Sequence, residues 1–241
     1  MTGSSRPGRT PIHSTRPLRG SEAMRRPSAE SAGGSFIAGS GAGPNASIRR
    51  MVPELPPLPV QVDPLPYEAR LDVRPAEQID LVVIHCTELP DLAMARRWGE
   101  QVQYTGSGTG NSGHYYVDRD GTVHRYVDPL RVAHHTRGYN PRSIGIELVN
   151  TGRYPNWLAA DHQAMDEPYP DAQIDALIAL LQRLHAEHPT LRFIAGHEDL
   201  DTAREPASDD PTREVFRKRD PGPQFPWERV LQQVGFERLR P

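Results

Sequence analysis

The sequence predicts an α/β (α+β) fold, a β-sheet covered by helices, on three observations. Leu81-Val82-Val83-Ile84 and Ser143–Leu148 (SIGIEL) are short apolar runs, as strands buried on both faces require. Residues 171–188 repeat apolar side chains at Ile174, Leu177, Ile178, Leu181 and Leu184, the stripe of a helix lying on a sheet. Asp120-Gly121 separates Tyr115–Val117 from Val123–Val127, which is hairpin chemistry.

Along the chain, residues 1–50 come first: a Ser-, Gly-, Pro- and Arg-rich tail with eight arginines against two acids. It offers no apolar periodicity to offset the entropy of ordering it, so disorder is expected. It reads as a basic arm for anionic partners, or as an extension ahead of a later start at Met24 or Met51. Residues 51–66 hold six prolines, so 51–70 is expected to be an extended proline-rich spacer, with the folded domain occupying 71–241. Inside that domain a strand over 81–84 is followed by a helix over 91–103, opened by Asp91 after Pro90. The hairpin, the 143–148 strand and the 171–188 helix come next. A short strand over 192–195 and a closing helix over 227–234 complete the series.

Composition excludes several classes. The chain has 241 residues and a formal charge of −3, so no large basic surface for nucleic acid is expected. No run approaches the ~18 apolar residues of a membrane span. One cysteine, Cys86, allows neither an intrachain disulfide framework nor a cysteine-based zinc cluster. No export signal is visible, because Gly34–Ala42 is too short and glycine-rich for one; a cytoplasmic monomer is therefore expected.

Three motif matches fail on context. Gly108–Gly113 spells GxGxxG, but a helix precedes it and a β-like segment follows, the reverse of a dinucleotide site. His197-Glu198 begins HExxH, yet residue 201 is Asp. His185 and His188 belong to the solvent edge or the end of their helix.

What remains is a set of metal-capable side chains at element ends. His85 ends the first core strand, His197 follows Phe193–Gly196, and Asp220 opens an Asp-Pro-Gly-Pro turn. Two imidazoles and a carboxylate leave the fourth position of tetrahedral zinc open for water, as a hydrolytic site requires. Glu147 is a carboxylate in the apolar run 144–149, costly to bury unless paired or used. Lys218 is the one lysine in a chain with 28 basic residues. A composition that uses arginine everywhere else keeps here a compact, flexible point charge able to meet an oxyanion.

In their order and spacing, VVIHCTE (82–88), SGHYYVDRDGTV (112–123), AHH (133–135), SIGIELVN (143–150), AGHEDLD (195–201) and RKRDPGPQFPW (217–227) resemble the zinc-dependent N-acetylmuramoyl-L-alanine amidases of the amidase type 2 family. The resemblance implies a mixed sheet with a zinc groove at one end. It implies one Zn²⁺ held by His85, His197 and Asp220, with Glu147 and Lys218 as catalytic residues. The carboxylate ligand, where other members carry cysteine, is similar to the AmpD-like side of the family. His114 and His135 match further family histidines, expected to contact substrate or to support the site. Arg137 and Arg142 are expected to pair with carboxylates of a peptidoglycan or muropeptide substrate. The long loops 152–170 and 201–216 are expected to line the groove and tune its substrate. A peptidoglycan-binding module without catalysis is the alternative.

Overall fold

The structure, a computed structural model, describes residues 57–241; the expected basic tail and the start of the proline-rich segment lie outside them. A seven-stranded sheet forms the centre. In chain order its strands are β1 (Val60–Val62), β2 (Leu81–Cys86), β3 (Tyr115–Val117), β4 (Val123–Arg125), β5 (Ser143–Leu148), β6 (Phe193–Gly196) and β9 (Glu237–Arg238). Between β6 and β9, β7 (Arg204–Pro206) and β8 (Glu214–Phe216) make a separate two-stranded hairpin. The spatial order is β1-β4-β3-β5-β2-β6-β9. β3, β5, β2, β6 and β9 run parallel, β4 turns back against β3, and β1 lies parallel to β4.

Side-chain alternation sorts the central strands into two faces. Val82 and Ile84, Ile144, Ile146 and Leu148, and Ile194 pack in one cluster with Ile174, Leu177, Leu181 and Leu184 of α2 (Asp171–Glu187). α4 (Trp227–Gln233) joins this face through Val230 and Trp227. The other face carries Leu81, Val83 and Ala195, and on β3 Tyr116, which packs with Ala95 of α1 (Leu92–Gly99). Odd-numbered positions of β2 and β5, continued past β6, place His85, Glu147 and His197 on this second face. Register adds precision: His85 stands beside Glu147, and Ile84 beside Gly196.

Three expectations are corrected. Residues 51–70 are more than a spacer from residue 60 onward, because Val60–Val62 pairs with Val123–Arg125 and Leu65 and Tyr67 are buried in the core. An edge strand tolerates the flanking prolines, since its outer N–H groups need no partner. The helix expected over 91–103 stops at Gly99. Asp91 caps its start by accepting from the Met94 N–H at 2.7 Å. At the other end the Gly99 carbonyl accepts from the Tyr67 hydroxyl at 2.6 Å, and the Gln103 N–H turns to the Thr109 carbonyl instead. The second hairpin strand ends at Arg125 rather than Val127, because the N–H groups of Tyr126 and Val127 both turn to the His114 carbonyl.

Candidate metal centre and active site

Parallel strands present their carboxyl ends together, and ligands of such sheets gather there. His85 sits at that end of β2, and His197 follows β6 as the first residue of α3 (His197–Leu200). Asp220 arrives from the loop after β8. All three are buried, at 2%, 2% and 3% exposure. Asp220 Oδ2 lies 2.8 Å from His85 Nδ1 and 3.1 Å from His197 Nδ1, and one donor atom from each residue falls within 4.8 Å of the others. Tetrahedral zinc with ligands at ~2.0–2.1 Å needs donors roughly 3.3 Å apart, so the constellation fits the ion with little adjustment. Asp220 Oδ1 is buried with no hydrogen-bond partner among the described residues, a polar surplus that a cation would relieve.

Electrostatics prepares these groups as ligands. Burial pushes the His85 imidazole down to about 4, against the pull of Asp220, so its ring is neutral. Burial alone would raise the Asp220 carboxyl, but the neighbouring His197 and His85 imidazoles hold it well below its ordinary value. A neutral imidazole, as at His85, and an ionised carboxylate are forms that bind metal.

Glu147 is half-buried and lines the cleft above these residues. Burial pushes its carboxyl well up and Asp220 adds to the rise, while Lys218 opposes it. Its position depends on Gly113, where a Cβ would stand 2.8 Å from Glu147 Cγ. Lys218 lines the same cleft. The cleft has a volume of about 900 Å³, enough for a substrate larger than one sugar or amino acid.

The remaining candidates separate. His135 lines the cleft and also touches His85: its Nδ1 lies 3.0 Å from His85 Nε2, with Thr136 Oγ1 3.2 Å from the same nitrogen. Its ring rests on Gly145, where a Cβ would meet Cγ at 2.6 Å. His114 is completely buried, so the expectation of a substrate contact is corrected. Its Nδ1 accepts from the Gly145 N–H and its Nε2 lies 3.0 Å from the Arg131 carbonyl, tying the loop before His135 to β5. Arg137 is exposed on the cleft rim and forms no ion pair among the described residues. Arg142 is corrected as well. It precedes β5, at the opposite end of the strands, where Asp80 accepts from its Nε at 2.6 Å.

Sequence reasoning missed Glu88 and Arg153, a buried pair lining the cleft. It also missed Trp98, which meets Trp157 edge to face at 6.2 Å on the cleft wall. Neither pair carries a spacing that could have flagged it. The rejected GxGxxG segment runs into β3, as its context required.

Comparison with known proteins gives one family. Residues 75–223, more than half of the chain, match the family described as N-acetylmuramoyl-L-alanine amidase. Endolysin of Escherichia phage T7 is 28% identical over 135 residues, covering 54% of this chain and 82% of the endolysin. The 1,6-anhydro-N-acetylmuramyl-L-alanine amidase AmpD of Enterobacter cloacae is 28% identical over 181 residues, covering 66% of this chain and 82% of AmpD. Among solved structures, the amidase AmiD from E. coli, in complex with the substrate anhydro-N-acetylmuramic acid-L-Ala-D-gamma-Glu-L-Lys, superposes with a TM-score of 0.51 at 26% identity. That match covers 67% of this chain and 59% of AmiD.

Proposed function

Because this chain belongs to the N-acetylmuramoyl-L-alanine amidase family, we propose that it is a zinc-dependent hydrolase. Its target would be the amide bond between N-acetylmuramic acid and L-alanine in peptidoglycan or muropeptides. The observation that carries the zinc dependence is the convergence of His85, His197 and Asp220 on a volume the size of one ion. These three residues would hold Zn²⁺, which when bound acidifies water and polarises a carbonyl oxygen.

The chain's own groups supply the rest. A Glu147 carboxylate oxygen takes a proton from the attacking water as the C–O bond forms. It returns that proton to the alanine nitrogen as the C–N bond breaks, so the leaving group departs as a neutral amine. A carboxyl raised by burial holds a proton more firmly than an exposed one, which suits a group that takes the proton and then carries it to the nitrogen. The Lys218 ammonium faces the negative charge that develops on the carbonyl oxygen. Arg137, exposed on the rim, is placed for carboxylates of the stem peptide. Trp98 and Trp157 give the wall flat apolar area for the uncharged parts of the substrate.

Incubation with a soluble muramyl-peptide and with intact peptidoglycan, with and without a chelator, tests this reading. Release of L-alanine-terminated peptide that stops on chelation and resumes with zinc supports it. Binding without any zinc-dependent product would overturn it in favour of a non-catalytic module. Among the described residues no helix is long and apolar enough to cross a membrane; the ratio of rates on the two substrates gives the preferred one, and cell fractionation gives the compartment in which the enzyme works.

A further inference from the structure

The loop between β5 and α2 was expected to select substrate, but its hydrogen bonds run elsewhere. Arg153 is 1% exposed, and all five of its guanidinium N–H groups are committed. Nε and Nη2 grip the Glu88 carboxylate at 2.7 and 2.9 Å; Nη1 reaches the Phe216 carbonyl at 2.8 Å and Gln163 Oε1 at 3.3 Å; Nη2 reaches the Arg217 carbonyl at 3.3 Å. The same loop holds the same distant segment twice more. The Arg219 guanidinium donates to the Gln163 carbonyl at 2.9 Å, and the Tyr169 hydroxyl donates to the Pro221 carbonyl at 2.7 Å.

These contacts bracket the site. Phe216 and Arg217 come immediately before Lys218, and Pro221 immediately follows Asp220. Glu88 lies three residues after His85 and adopts φ 49°, a left-handed conformation that side chains rarely take. Glu88 is held there by Arg153 and by the Trp157 indole N–H, which donates to its carbonyl at 3.1 Å.

We propose that Arg153 is a positioning residue, the centre of a brace running from 153 to 169. It fixes the Lys218–Asp220 segment against the end of β2, and so sets both the third metal ligand and the ammonium. The role requires a planar fork: lysine offers three donors from one point and cannot grip Glu88 side-on while reaching two carbonyls. The effect on Lys218 rests on the function proposed above, whereas the effect on Asp220 does not.

Arg153→Lys in the full chain tests the proposal, since it keeps a positive charge beside Glu88. Zinc affinity is measured by competition with a chromophoric chelator, turnover by muramyl-peptide cleavage, and folding by circular dichroism. The expected result is a native spectrum, zinc held ~10-fold more weakly, and kcat lower by ~10-fold or more with KM within about twofold. A folded variant with unchanged zinc affinity and unchanged kcat overturns the proposal. If Arg153→Lys fails to fold, Tyr169→Phe and Arg219→Met probe the brace at its other anchors, with a severalfold loosening of zinc expected in each. Wild-type zinc affinity and turnover in both of these would equally overturn it. Should the wild-type chain bind zinc and cleave nothing, the proposed function falls; weakened zinc binding in Arg153→Lys would then still support the brace.

Discussion

His135 Nδ1 stands 3.0 Å from His85 Nε2, the ring nitrogen that faces away from Asp220. With Nε2 carrying the proton, His85 donates it to His135 and leaves Nδ1 free to bind a cation. His135 in turn donates from Nε2 to Ser143 Oγ at 3.2 Å, and the Ser143 hydroxyl donates to the Tyr139 carbonyl at 2.8 Å. Every proton in this chain has an acceptor, so one tautomer of His85 is selected. His135→Ala should therefore weaken zinc binding by ~10-fold or more, read by chelator competition. A raised KM with unchanged zinc affinity would instead return His135 to the substrate contacts.

Glu147→Gln should retain zinc, measured by metal analysis after dialysis, while turnover falls by ~10²–10⁴. Unchanged turnover would remove Glu147 from the reaction.

A pH profile separates Glu147 from Lys218. Glu147 must be ionised to accept a proton, so activity declines as pH falls through its raised pKa. Lys218 opposes that rise. Lys218→Met should accordingly lower kcat and also move the acid limb to higher pH; a limb that stays in place would break the coupling.

Gly145→Ala drives a Cβ to 2.6 Å from the His135 ring. The expected loss of stability is about 1–3 kcal/mol, read from urea unfolding, together with weaker zinc retention. A fully stable variant with wild-type zinc affinity would show that the ring can move freely.

Acid stability is expected to depend on Glu167. Burial works against its ionisation, but Arg119, with Nε 2.6 Å from Oε1, and the Thr151 hydroxyl and N–H outweigh it and lower its pKa. A carboxyl lowered in the folded state contributes stability that is present above its unfolded pKa and lost as pH falls through the folded one. Glu167→Gln should thus cost stability at neutral pH and progressively less on acidification. A constant difference in thermal midpoint from neutral pH to pH 3 would exclude this role.

The two central strands and the long helix were legible because a buried parallel strand and a sheet-packed helix leave one-dimensional patterns, the short apolar runs LVVI and SIGIEL and Ile174 to Leu184 at the helical period. His85 and His197 could be singled out because each lies at the end of a patterned strand, and Asp220 because it opens a proline-rich turn. The end of α1 was not legible: it depends on a hydroxyl from Tyr67, 32 residues away. Neither β1 nor β9 could be seen, because two- and three-residue edge strands are defined by their neighbours. Arg142 looked like a cleft residue from its place between His135 and Glu147, but a strand carries its two ends to opposite sides of the sheet. Arg153 escaped notice because its partners, Glu88 and the 216–217 carbonyls, lie more than 60 positions away on both sides.

The triangle of His85, His197 and Asp220 joins side chains as far as 135 positions apart, and its last member follows most of the sheet in the chain. During synthesis a ribosome therefore carries a polypeptide with no working centre until residue 220 has emerged and docked. A stalled or prematurely released product would lack Lys218 and Asp220.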